Sequence, residues 1–168
     1  MLETARGAVL VAAVVTTALQ AGLYYAFACA VLPGLGRGDD RTFVAAMQQV
    51  NVAIINPWFL VTFLGAPVLA ALAAVLSLSG THRALLAWAA LGAVFAVATF
   101  MSTVALNVPL NNALAAAGDP DRVADLAAVH DVFAPAWGLW NTVRALSATV
   151  AVGCLALALV EHGRAAAG

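Results

Sequence analysis

Four apolar runs, at residues 8–32, 57–78, 84–106 and 137–160, constrain this chain more than any other feature of it. Each is 22 to 25 residues long, and about 20 apolar residues in a helix suffice to cross the hydrocarbon core of a bilayer. A backbone in lipid has no water to bond to, so runs that cross it must be helical. The sequence therefore predicts an all-α integral membrane four-helix bundle, up-down-up-down, as a single transmembrane domain over residues 1–168. Composition agrees: 9% of the residues are charged and the mean hydropathy is +0.99, where a soluble domain carries about 25% charge. A net charge of -1 with no run of basic residues excludes nucleic acid as a partner. A cleaved signal peptide has an apolar core of only about 7 to 15 residues, so the first run reads as a retained span.

Between the spans the chain alternates short and long connections. Residues 79–83 make a tight polar turn, so the second and third spans should be antiparallel neighbours. The two longer loops share the opposite side, and each carries a short amphipathic helix. In the first, Pro33, Gly34 and Gly36 should break the helix, Asp39 or Asp40 caps a new one, and Phe43, Met47, Val50 and Ile54 form its apolar stripe. In the second, Asp119 and Pro120 resemble an N-cap and first-turn pair for a helix over residues 121–133, which Pro135 should separate from the fourth span. The halves share an outline of span, break, Asp-rich helix, Pro and Trp, then span, and this suggests a duplicated hairpin.

Arg144 is the one charged residue inside the four runs, about 10 Å along the fourth helix at 1.5 Å per residue. A charge at such depth costs roughly 2.5 to 3.5 kcal/mol on insertion scales and commonly faces a bundle interior. No acid in any run can pair with it. Two readings stand: the guanidinium snorkels to phosphate headgroups and carbonyls, or it awaits an anionic or developing-anion ligand, held by amides and stacked on indole. Asn51, Asn56, Asn107, Asn111, Asn112, His130, Trp137, Trp140 and Asn141 fall on the same side of the membrane as Arg144. Thr17, Gln20 and Tyr24 share one face of the first span, as bundle-internal hydrogen bonders or as ligand contacts. Thr103, Asn107 and Asn111 would line one face of the third span if its helix continues past Pro109.

Other chemistries find little footing. Cys29 and Cys154 should lie near opposite faces of the membrane, too far apart for a disulfide, and no CxxC motif is present. His82, His130 and His162 show no metal-ligand spacing, so no metal site is expected, and neither a phosphate loop nor a nucleophilic triad is visible. No cofactor is recognisable, with haem left open. The positive-inside count ties, Arg6, Arg83 and Arg164 against Arg37, Arg41 and Arg122. The plan of short inner turns and longer outer loops favours both termini in the cytoplasm of a bacterial plasma membrane.

The residues Leu32, Pro33, Gly34 and Leu35, then Phe43 to Asn51, Asn56 and Pro57, then Asn107 to Asn111, then Trp140, Asn141 and Arg144 resemble the DUF1772 or anthrone oxygenase-like family of small four-span membrane proteins. The resemblance implies a membrane-embedded oxygenase or redox protein. It would oxidise a lipophilic polycyclic aromatic of the anthrone kind, with molecular oxygen as co-substrate. On that reading Arg144, Asn107 and Asn111 stabilise an enolate or phenolate and Tyr24 or His130 relays the proton. Trp137, Trp140, Asn141, Asn51, Asn56 and Gln20 would bind the substrate. The rival classes are a non-catalytic binder of a lipophile such as quinone or haem, and a structural or transport subunit. The expected partners are the bilayer and a lipophilic small molecule, with homo-oligomerisation left open.

Overall fold

A computed structural model describes residues 1–78 and 82–167. Among them five helices follow one another: α1 (Leu2–Leu35), α2 (Asp40–Ala53), α3 (Pro57–Ser77), α4 (Arg83–Ala116) and α5 (Leu126–Ala167). α1, α3, α4 and α5 are long and apolar enough to cross a membrane. The chain is an integral membrane protein by that measure. Most of the turn expected at residues 79–83 lies outside the described residues. α1 packs on α3 and α5, and α4 packs on α3 and α5, which makes the four-helix bundle.

The bundle is inside-out relative to a soluble one. Val15, Leu19, Val61, Val68, Val94 and Leu146 are exposed around its girdle, where acyl chains would cover them. Its interior away from the long loops is rich in small residues: Ala13, Ala70, Ala73, Ala89, Ala96, Ala148, Ala151 and Ala158 are buried there, with Leu10, Leu85 and Leu155 set among them. With lipid as apolar as leucine, helices associate through close backbone approach, which small side chains permit. Gly92 marks a tight point, since a Cβ there would stand 2.8 Å from Leu155 Cγ. At the loop end the core changes character, and Phe43, Val44, Met47, Leu114, Phe133 and Trp137 form a cluster of large side chains.

Helix breaks expected at Pro33 and Pro135 are not where the chain turns, and the helix left open at Pro109 continues. α1 runs on through Pro33 to Leu35, and α4 through Pro109 to Ala116. In each, a π-turn comes first, Phe27–Val31 before Pro33 and Thr103–Asn107 before Pro109. The Leu32 N–H reaches the Phe27 carbonyl and the Val108 N–H reaches that of Thr103. This wider turn adds a residue and draws the preceding carbonyls away from the proline ring, so the helix survives. α5 likewise continues through Pro135, so the second amphipathic segment is the start of the fourth spanning helix rather than a separate one. Asp131 is exposed at that height, and a carbonyl deprived of its donor there can be met by water. The start of α5 is also displaced. Asp125, not Asp119, accepts from a helix amide, that of Ala128 at 2.9 Å, whereas Asp119 accepts from Asp121 N–H in a local turn.

The two loops are tied to one another. α2 is capped by Asp39, whose carboxylate accepts from Thr42 N–H at 2.8 Å. From α2, Arg41 pairs with Asp121 at 2.6 Å, Gln48 donates to the Leu114 and Gly118 carbonyls, and Asp40 meets His130 Nδ1 at 2.6 Å. Gly118 ends α4 with φ 87, the left-handed conformation that glycine adopts without strain. α2 is thus held across the loop end of the bundle. Cys29 and Cys154 are both free.

Candidate functional site

Under α2, where the alanine packing gives way, lies a cavity of about 200 Å³. All five helices contribute to its wall, most of which is apolar: Leu23, Phe27, Val50, Ile54, Phe59, Leu60 and Phe63 among others. Set into that wall are Tyr24, Asn51, Thr103, Asn111, Trp137, Asn141 and Arg144. A mainly apolar cavity with a few convergent polar groups is the usual form of a small-molecule site.

α5 supplies the centre. Trp137, Asn141 and Arg144 stand at i, i+4 and i+7 and so face inward together. Arg144 is only 5% exposed. Its Cζ lies 4.5 Å from the centroid of the Tyr24 ring and 5.2 Å from that of Trp137, distances at which an aromatic face attracts a cation. Nη2 donates to Asn141 Oδ1 at 3.2 Å and Nη1 to Thr103 Oγ1 at 3.5 Å. Both acceptors are oriented beforehand. Asn141 Nδ2 donates to the Tyr24 carbonyl at 2.9 Å, which turns Oδ1 to the guanidinium, and the Thr103 hydroxyl donates to Thr99 O, leaving its lone pairs for Arg144. Arg144 Nε–H finds no acceptor in the protein, and neither does the amide nitrogen of Asn51 on the opposite wall. No carboxylate lines the cavity.

α4 supplies the second polar wall, and its π-turn decides which residues reach it. Positions four apart in a regular α-helix drift by about 40°. The wider turn takes up that drift, so Thr103 and Asn111 both line the cavity. Asn111 Oδ1 accepts from the Trp137 indole N–H at 2.7 Å and holds that ring in place. Asn107, between them, is buried outside the lining, and its Nδ2 donates to the Trp137 carbonyl at 3.4 Å.

Of the residues expected from sequence to act or bind, Arg144, Asn111, Tyr24, Trp137, Asn141 and Asn51 are brought together here. Others are elsewhere. His130 stacks on the Phe43 ring with centroids 3.9 Å apart and meets Asp40, at the loop tie rather than the cavity. Asn56 caps α3 by accepting from Phe59 N–H. Trp140 is half-buried and outside the lining, and Gln20 lies deeper in the bundle. Phe27, Phe59, Phe63 and Thr103 complete the wall without having been singled out as binding residues. Phe59 and Phe63, one turn apart on the second span, gave a readable aromatic stripe, whereas nothing marked Phe27.

The mouth of the cavity is apolar. α3 packs along α1 and the first part of α4 but hardly at all along α4 beyond its π-turn. Ile55, Leu60 and Val108 rim that gap and are exposed, with Val52 and Trp58 standing out beside it, Trp58 86% exposed. An exposed tryptophan at the start of a span sits well in the headgroup region. Among the described residues no group of three His, Cys, Asp or Glu side chains could hold a metal ion. The cavity lining holds no His, Cys or Met.

A family model for anthrone oxygenase matches residues 58–154, from the start of α3 to the far part of α5. The chain belongs to the anthrone oxygenase family. The matched stretch holds Thr103, Asn111, Trp137, Asn141 and Arg144, the cationic side of the cavity, while Tyr24 and Asn51 lie before it. No curated protein and no solved structure matches the chain.

Proposed function

We propose that the protein is a membrane-embedded oxygenase for a lipophilic polycyclic aromatic of the anthrone class, with molecular oxygen as co-substrate. One observation carries the reading: a buried guanidinium with no carboxylate partner, in an otherwise apolar, aromatic-walled cavity. Such a site favours a flat apolar molecule that gains negative charge as it reacts. An anthrone does so. Loss of its acidic benzylic proton to a base gives a carbanion whose charge is shared with the ring oxygen. The carbanion transfers its electron pair to dioxygen in two one-electron steps, forming a C–O bond. The peroxide takes back the proton, and loss of water leaves the quinone carbonyl, so anthrone and oxygen become anthraquinone and water.

In this scheme Arg144 and the Asn51 amide hold the enolate oxygen, and Trp137, Phe27, Phe59 and Phe63 hold the rings. Asn141 and Asn111 keep Arg144 and Trp137 in position. Tyr24, the titratable phenol in the wall, takes the proton-relay role, with His130 tied to Asp40 instead. The apolar mouth suits a substrate that arrives from the leaflet. The membrane is a bacterial plasma membrane with both termini cytoplasmic, which leaves the long loops and the cavity on the outer side.

Purified protein in nanodiscs, given an anthrone, should consume one oxygen for each anthraquinone formed, faster than the spontaneous oxidation. If neither the rate nor the absorption spectrum of the anthrone changes with protein, the reading fails.

A further inference from the structure

Below the ligand cavity, nearer the alanine-packed part of the bundle, is a second and much smaller one of about 10 Å³, with Thr17, Gln20 and Tyr24 in its wall beside Ala66, Pro67 and Phe100. That volume is close to what a single water occupies. Tyr24 is shared, lining both cavities. Thr17 Oγ1, Gln20 Oε1 and Tyr24 Oη have no well-formed hydrogen-bond partner within the protein, Arg144 and Thr103 standing beside the Tyr24 hydroxyl, and their residues are 1%, 4% and 3% exposed. Buried polar atoms of this kind are normally satisfied, and the three residues that carry these line one space.

The orientation of each group follows from its neighbours. Thr62 donates its only hydroxyl proton to the Phe59 carbonyl at 2.9 Å, so toward Gln20 it can only accept. Gln20 must then present its NH₂ to Thr62, at 2.7 Å, which leaves Oε1 as a pure acceptor. Thr16, Thr99, Thr103, Thr142 and Thr149 each donate to a carbonyl four residues earlier. Thr17 does not, and its hydroxyl remains uncommitted.

We infer that this cavity is a built site for one water molecule, held by Thr17, Gln20 and Tyr24, which orients the Tyr24 hydroxyl at the edge of the ligand cavity. The water accepts from Tyr24 Oη–H and donates to Gln20 Oε1 and Thr17 Oγ1, and every orphaned atom is then satisfied. An apolar gas in the same space would satisfy none of them. The site places the Tyr24 proton on the water and leaves the phenolic lone pairs for other partners. Thr17 and Gln20 are positioning residues acting through Tyr24. Only the use of Tyr24 in catalysis rests on the function proposed above; the water site itself does not.

The test needs no substrate. Thr17→Val keeps the shape and removes the hydroxyl, and in detergent it should lower the unfolding midpoint by about 2 to 4 °C, while Thr17→Ser stays near wild type. A midpoint unchanged or raised in Thr17→Val overturns the proposal, because deleting a hydroxyl from a dry pocket relieves an uncompensated group. Thr17→Val combined with Tyr24→Phe should lose less than the sum of the two single effects, since both break the same network. Strict additivity overturns the orienting role. A structure resolving ordered water should show one within hydrogen-bond distance of all three atoms, and its absence there is equally decisive. If anthrones prove not to be substrates, these outcomes are unaffected.

Discussion

The two ends of the bundle solve opposite problems. At the end away from the long loops, α4 and α5 close on Gly92, Leu155 and a lattice of alanines with almost no space between them. At the loop end the same helices carry Trp137, Phe133, Leu114 and a π-turn, and they part around a cavity of about 200 Å³. Small residues let helices touch; large rings and widened turns hold them apart. The closed end anchors the frame against which the open end can keep a charged group under lipid.

The largest effect expected from disturbing this division is at Arg144. Arg144→Ala should lower turnover of an anthrone by about 10² to 10³ while the protein still inserts and stays monodisperse. Arg144→Lys should restore only part, because a point-charge ammonium cannot replace a planar donor braced by Asn141 and Thr103. Activity within a few-fold of wild type in the alanine variant would show that the open end is not organised around its cation.

The glycines sharpen the contrast next. Gly92→Val forces atoms into Leu155 and should cost about 1 to 3 kcal/mol of stability. Gly138→Ala, in the same helix as Leu155 but at the open end, meets Leu32 Cδ1 at an ordinary 3.5 Å and should be neutral or gain up to about 1 kcal/mol. Thermal unfolding in detergent compares them. Equal losses would mean that the two ends are packed alike.

Trp137→Phe tests a finer point within the open end. A ring stays beside Arg144 but the N–H to Asn111 is lost, and ligand affinity should fall about five-fold, as for one net hydrogen bond. Titration by quenching of the remaining tryptophans would measure it, and no change would leave Asn111 without a role in holding the ring.

The smallest effect is from acid. Asp39 is held below the ordinary carboxylate range mainly by the Thr42 amide, and Asp121 mainly by the hydrogen bond from Arg41. Groups depressed in the folded state contribute stability that is present above their usual value of 3.8 and lost as the pH falls through the lower, folded one. Both are exposed and screened, so the contribution is slight. Hydrogen exchange, corrected for its intrinsic rate, should quicken in α2 below that pH and not in the alanine-packed end. A uniform response of both ends would contradict the assignment of these carboxylates to the loop tie.

Much of the division was legible in the chain itself. The four spans, Arg144 and the inward stripe of Trp137 and Asn141 follow from run length and helical periodicity. What was hidden has a common cause. Pro33 and Pro135 read as breaks, and Pro109 left the course of its helix open, because a proline removes a donor, but a π-turn or an exposed carbonyl absorbs that loss, and neither leaves a mark in residue type. The same shift turned Asn107 out of the cavity and Thr103 into it. His130 looked catalytic by height alone, and only the fold of α2 brings Asp40 and Phe43 against it. Asn56 was similarly a cap, as an Asn before Pro commonly is.

The two π-turns also occupy matching places. Each is one residue too many for an α-helix, absorbed without loss of the helix, and each stands two residues ahead of a proline in the odd-numbered span of its half. Aligned on those prolines, Phe27, Val31 and Leu35 stand in the first where Thr103, Asn107 and Asn111 stand in the second. One bend is lined with grease, and the other carries a row of polar side chains.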